Sequence, residues 1–178
     1  MFIGTPSGVG APTPALTVYQ GPFASNVAGV FAAITNHIQA TGITIASAVT
    51  FGNIYLTVNT TEASSAVYGA ALINIDGTAV CSTTTGVQLG ANNTTTVFPC
   101  SQSTVSIVPG NYILLTTSSS TVGKYNGTGA STYPTFFTSA NVTGCTATAG
   151  VFSFSSPCAI SIAYTASNAQ GIPNFLLH

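Results

Sequence analysis

General acid–base and nucleophilic chemistry need side chains of tunable pKa held in pairs or triads, and this sequence offers few. Its carboxylates are Glu62 and Asp76, its imidazoles His37 and His178, and its single cation Lys124. A glycosidase requires two opposed carboxylates, and Glu62 with Asp76 is the one pair available. Asp76 precedes Gly77, and a short polar side chain there supplies the local hydrogen bonds and tolerance of positive φ that a tight turn demands. It reads as a structural turn residue, and Glu62, in TTEASS, as a solvated loop residue. No G-x-S-x-G elbow and no G-x-x-x-x-G-K-[ST] loop occurs, so the usual hydrolase and phosphate-cradling signatures are missing. Lys124 in VGKYNG reads as an exposed loop residue. The expectation is a chain that is not an enzyme, with no catalytic residue and no cofactor.

Cys81, Cys100, Cys145 and Cys158 form two couples close in sequence. They fit two disulfides, or four buried thiols in a reducing cytosol. Disulfides are favoured because Cys100 in VFPC and Cys158 in SSPC each follow a Pro at a loop–strand junction. A metal site is not expected: there is no C-x-x-C, and both His lie far from either couple. Among the aromatics, Tyr112 and Phe137 read as core, whereas Tyr125 and Tyr133, in a Gly- and Ser-rich stretch, are the candidate platforms for a neutral ligand such as a sugar. Sequons stand at Asn59, Asn92, Asn93, Asn126 and Asn141. In a Ser/Thr-rich chain they arise by chance, and glycosylation is not expected without a basic n-region in MFIGTPSGVG.

Composition sets the context for these residues. Of 178 residues only 2% are charged, against roughly 25% in an average soluble domain. The net charge of -1 leaves no cationic patch to displace counterions from a polyanion, which excludes nucleic acid as a partner. Mean hydropathy is +0.51, but no run of about 20 apolar residues exists to span a membrane as a helix. A surface of hydroxyls and amides lacks charge repulsion and favours association, so a homo-oligomer is expected.

The elements that must position these residues are strands. Residues 1–26, rich in Pro and Gly, read as an extended arm, and residues 27–178 as one β-sandwich domain. In SNVAGVFAAITNHIQATG the apolar spacing fits a short buried strand, with a helical turn or short helix as the alternative. Then Ile43, Ile45, Ile54, Leu56 and Val58 alternate inward, with Tyr55 and Thr57 on the opposite face and a break at residues 51–53. YGAALINI and TAVCST flank Asp76-Gly77, the pair favoured by a two-residue type I′ hairpin. Pro109-Gly110 marks a second turn, GKYNGTGAS a loop, and the apolar tail GIPNFLLH a docked end. About eight short strands punctuated by turns predict an all-β, antiparallel sandwich.

The succession NIYLTV, YGAALINIDGTAV, STTTGVQL, STVSIV and PGNYILLTTSS, over residues 53–120, resembles the carbohydrate-module-like jelly-roll domains of tailed-phage virion proteins. Residues 71–80 match that family's strand ending in an Asp-Gly turn, and residues 108–115 its Pro-Gly-x-Tyr strand. The resemblance implies a jelly-roll sandwich displayed on a virion as a capsid decoration, head fibre or tail receptor-binding part, often trimeric. Its implied partners are other virion structural proteins and, for a tail protein, a host surface glycan. The four Cys and near absence of charge depart from the family pattern. An extracellular or cell-surface filament protein sharing the sandwich is the alternative.

Overall fold

A computed structural model describes residues 19–20, 29–32, 37–62, 65–127, 136–138, 142–160 and 175–178. They are all-β, with no helix among them. The strands are β1 (Tyr19–Gln20), β2 (Gly29–Ala32), β3 (Gln39–Ile45), β4 (Val49–Phe51), β5 (Asn53–Thr60), β6 (Tyr68–Asn74), β7 (Ala79–Ser82), β8 (Thr95–Pro99), β9 (Val105–Ile107), β10 (Gly110–Ser118), β11 (Lys124–Gly127), β12 (Phe136–Thr138), β13 (Val142–Thr148), β14 (Val151–Ile160) and β15 (Phe175–Leu177). The fifteen segments among the described residues exceed the eight expected because the β3–β5 and β9–β10 runs break where the chain passes between sheets, and because β1, β11 and β15 form in stretches read as arm, loop and tail. Every pairing is antiparallel.

One sheet has the order β1-β15-β5-β11-β2, with β8 also on β5; a second has the order β12-β3-β10-β6-β7. They enclose a common core, sandwich-like, because alternate residues of both point inward. Ile54, Leu56, Val58, Phe98, Phe175 and Leu177 come from the first sheet, and Ile43, Ile45, Tyr68, Leu72, Tyr112 and Leu114 from the second. Each such aliphatic side chain contributes roughly 1.5–3 kcal/mol by leaving water. The opposite face of the second sheet is covered too: Ala40, Ala71, Ile73 and Leu115 pack with Cys145, Phe152 and Cys158 of the β13–β14 hairpin. The second sheet is thus the middle of three layers. Double burial explains why YGAALI reads as an unbroken run of small and apolar residues, all buried from Tyr68 to Ile73.

The breaks fall at corners. β3 pairs with β10 up to Ile45↔Gly110, and the same two runs resume as β4 and β9 at Val49↔Ile107. Pro109 sits at this corner, where its missing N–H disrupts no ladder. Gly110 opens β10 by pairing with Ile45, so the turn expected at Pro109-Gly110 is the corner at which the chain changes sheet. The expected break at residues 51–53 is present. β4 pairs with β9, whereas β5 pairs with β8 and β15, and Gly52 N–H donates to His178 O at 3.1 Å. A Cβ at Gly52 would lie 2.5 Å from Ser103 O.

Two turns differ from expectation. At Asp76-Gly77 the N–H of Gly77 donates to Asn74 O at 2.9 Å, and only Gly77, at φ 87°, is left-handed. This is a three-residue loop ending in a glycine bulge, in place of the two-residue type I′ turn. Ile75 adds the extra residue. The type I′ turn lies instead at Ala149-Gly150, where φ is 48° and 77° between the paired Thr148 and Val151.

Both Cys couples are disulfides, Cys81–Cys100 with Cα atoms 5.2 Å apart and Cys145–Cys158 with 5.1 Å. The first joins β7, at the edge of the middle sheet, to the end of β8 in the other, beside a Ser101 N–H to Ser82 O bond of 2.8 Å. The second cross-links the covering hairpin. The strand reading of the early apolar run holds at Gly29–Ala32, which pairs with β11; residues 33–36 lie outside the described residues. Most of the arm does as well, apart from β1, which pairs with β15. The apolar tail is docked over Phe175–Leu177, both ends buried.

Candidate functional site

Strand β5 is a spine with two faces. Ile54, Leu56 and Val58 are fully buried, so Tyr55 and Thr57 face outward. In the ladders Tyr55 stands opposite Val97 of β8 on one side and Leu176 of β15 on the other. Phe98 and Phe175 turn inward beside them, which fixes Val97 and Leu176 on the outer face by the two-residue pleat. The result is a row, Val97–Tyr55–Leu176, across three strands. The ring of exposed His178 lies 6.0 Å from that of Tyr55, tilted by 44°. Thr57 and Thr95 flank the row, paired with each other. A rigid aromatic between two aliphatic side chains, without charge, suits contact with another apolar surface or with the face of a sugar ring.

A second apolar group lies at one end of the middle sheet. Ile75, at the tip of the β6–β7 turn, is 70% exposed, and Val108, before Pro109, is 68% exposed. Because Asn74 pairs with Tyr112 on β10, both belong to the same end of that sheet.

The expected ligand residues lie elsewhere. Tyr125 is not in a loop: it belongs to β11, pairs with Val58 and Phe31, and is 1% exposed. Its ring meets Tyr68 edge-on at 6.2 Å and Phe98 at 6.4 Å. Burial drives the Tyr125 hydroxyl pKa well above its ordinary 10, with the neighbouring Tyr68 adding to the shift. It therefore presents no platform to solvent. The stretch misleads because the glycines that look like loop punctuation flank a short internal strand. Tyr133 lies outside the described residues. Tyr112 is core, and its hydroxyl donates to Val108 O at 2.8 Å; Phe137 falls on β12.

Glu62 is not a solvated loop residue but the centre of a part-buried cluster. It accepts from the Tyr68 hydroxyl at 2.6 Å and the Ser120 hydroxyl at 2.8 Å, while Gly123 N–H donates to Tyr68 Oη at 3.0 Å. Burial, and then the bond to Glu62, raise the Tyr68 pKa. The cluster ties the start of β6 to the β10–β11 connection. Asp76 is at the other end of β6, where the N–H of Thr78, at 2.9 Å, holds its carboxyl below the ordinary range. Six strand steps separate Tyr68 from Asn74, about 20 Å at 3.3 Å each. Glycosidase carboxylates lie within about 10 Å of each other, so Glu62 and Asp76 cannot act as a pair.

No protein-family model matches the chain, and comparison with curated proteins and with solved structures finds no significant match. Among the described residues no group of three His, Cys, Asp or Glu is placed to hold a metal ion, and no helix is long and apolar enough to cross a membrane.

Sequence reasoning identified other aromatics and missed the row. The signal that finds Tyr55 is the alternation in NIYLTV, which sets it opposite Ile54 and Leu56. Val97 and Leu176 carry no such signal, since only strand pairing sets them beside Tyr55.

Proposed function

We propose that this chain is a non-enzymatic structural subunit of a phage virion, exposed on the particle surface as a capsid decoration or fibre-type protein and held by apolar contacts insensitive to salt. The observation that carries the contact mechanism is the uncharged Val97–Tyr55–Leu176 row on the outer face of a disulfide-clasped sheet. Burying apolar surface there contributes about 25 cal/mol per Å². With Glu62, Asp76 and Lys124 as the only formal charges, few ion pairs can add to it. The virion placement, the jelly-roll winding and the trimeric state rest on the resemblance of residues 53–120 to tailed-phage domains.

The mechanism is tested by sedimentation from about 0.05 M to about 1 M salt, a range over which exposed charge interactions are progressively screened. Association is expected to hold or strengthen, and to be lost in Val97→Glu; steep weakening with salt refutes it. Immunogold labelling of particles from the source tests placement: label on the head or tail surface supports it, and particles without label refute it.

A second reading, an extracellular or cell-surface filament protein, is favoured by the two disulfides, which persist in oxidising compartments. For a receptor- or glycan-binding role, Tyr55 replaces Tyr125 as the aromatic to mutate.

A further inference from the structure

The five sequons are not equivalent in the fold. Asn59 Nδ2 donates to Asn126 Oδ1 at 2.8 Å, part-buried between β5 and β11, and Asn59 Oδ1 accepts from the Thr60 hydroxyl at 3.0 Å. Asn126 Nδ2 in turn points to Val58 O at 3.5 Å. In both residues the amide nitrogen that would receive a sugar is engaged inside the sheet. Asn92 Oδ1 accepts from Thr61 N–H at 2.6 Å, and the hydroxyl of its sequon, Thr94 Oγ1, donates to Ala91 O at 2.6 Å. Asn141 lies outside the described residues.

Asn93 shares its exposure with Asn92 but differs from it in hydrogen bonding. It is exposed, at φ 61°, in the turn before β8. Its backbone N–H is fixed to Val58 O at 2.8 Å, whereas its side chain makes no hydrogen bond among the described residues. Thr95, which completes its Asn-x-Thr triplet, is exposed as well. Both chemical ends of this sequon therefore face solvent from a rigid backbone.

We infer that Asn93 is an N-glycan acceptor. Asn93 Nδ2 forms a bond to the anomeric carbon of a lipid-phosphate-linked oligosaccharide. The bond from that carbon to the phosphate oxygen breaks, the lipid phosphate leaves with the electron pair, and the amide nitrogen gives up a proton. Two further observations point the same way. Both Cys couples are oxidised, as in proteins matured in the export compartments where such transfer occurs. The chain also lacks the charge that keeps other surfaces dispersed, and a hydrated glycan supplies that function. Its position just before β8 places it beside a sheet edge whose outward residues, Thr95, Val97 and Pro99, carry no charge to deter edge-to-edge pairing. The inference rests on the second reading above, an exported extracellular or cell-surface protein, and not on the virion reading, because an acceptor site requires export as well as exposure.

The three charged residues make the test clean. Proteases specific for acidic residues and for lysine cut the reduced chain after Glu62, Asp76 and Lys124, isolating residues 77–124, with Asn92 and Asn93, from residues 1–62 and 125–178. In protein isolated from its source, the 77–124 peptide is expected to carry the mass of one oligosaccharide, located by fragmentation on Asn93. Asn93→Gln expressed in the same source loses that mass, and Asn92→Gln keeps it. An unmodified 77–124 peptide, or a sugar on Asn92 or on a hydroxyl in its place, overturns the inference.

Discussion

Replacing Gly69 by alanine tests the three-layer packing through the sign of its effect. Glycine inside a strand is less favourable than alanine by roughly 0.5–1 kcal/mol, an entropic cost, so from β6 alone Gly69→Ala stabilises. The covering hairpin reverses this. A Cβ at Gly69 meets the carbonyl oxygen of Gly150 far inside van der Waals contact and lies 3.0 Å from Thr83 Oγ1. Neither neighbour yields easily. Gly150 is the second residue of the type I′ turn, at φ 77°, and Thr83 Oγ1 is held between Ala70 O at 3.2 Å and Gly150 O at 3.3 Å. Overpacking costs about 1–3 kcal/mol, and against a backbone carbonyl this close the upper part of that range applies, about 2–3 kcal/mol, so the net loss after the propensity gain is about 1–2.5 kcal/mol. Gly42, in β3, is the control: nothing lies within 4 Å of its Cβ position, so Gly42→Ala should stabilise by about 0.5–1 kcal/mol. Urea denaturation with the disulfides intact, comparing midpoints at constant slope, measures both. A Gly69→Ala protein as stable as the parent would refute the close seating of the hairpin on β6, as would both variants shifting in the same direction.

Further predictions follow from the turns, cross-links and buried hydroxyls. Ala149 holds φ 48°, a conformation that Asn tolerates better, so Ala149→Asn should raise stability by about 1 kcal/mol, read as a higher Tm. Removing the Cys81–Cys100 bridge, which spans 19 positions, with a double Cys→Ser variant should cost about 3 kcal/mol on the loop-entropy account, measured as a lower denaturation midpoint. Tyr125 keeps its proton in the folded state well above pH 10, whereas the unfolded chain loses it near 10. Its contribution is therefore fully present below pH 10 and falls above it, by up to about 1.4 kcal/mol per pH unit; Tyr125→Phe should flatten that alkaline limb, seen by circular dichroism.

Much of the fold was legible because strand signals are local. Alternation in ITIASAVTFGNIYLTV put Ile43, Ile45, Ile54, Leu56 and Val58 inside, and glycine at residue 52 marked a break that became a change of sheet. Proline before Cys100 and Cys158 favoured the oxidised state. Turn geometry was less legible: Asp-Gly suggested a two-residue hairpin, yet the pairing of β6 with β7 absorbs Ile75 as well, and the tight turn went to Ala149-Gly150. Local rules rank turn residues, but the register of the flanking strands decides how many of them the turn contains.

A nearly charge-free, antiparallel β protein with a two-faced strand β5 was legible in the chain, because composition and two-residue periodicity are local properties. Tertiary structure alone decided that YGAALI is covered on both faces, that Tyr125 is core, and that Glu62 closes a hydrogen-bonded cluster. It also set Val97, Tyr55 and Leu176 in one row. Those residues are separated by 42 and 121 positions, and only cross-strand hydrogen bonding, which no local pattern encodes, brings them side by side.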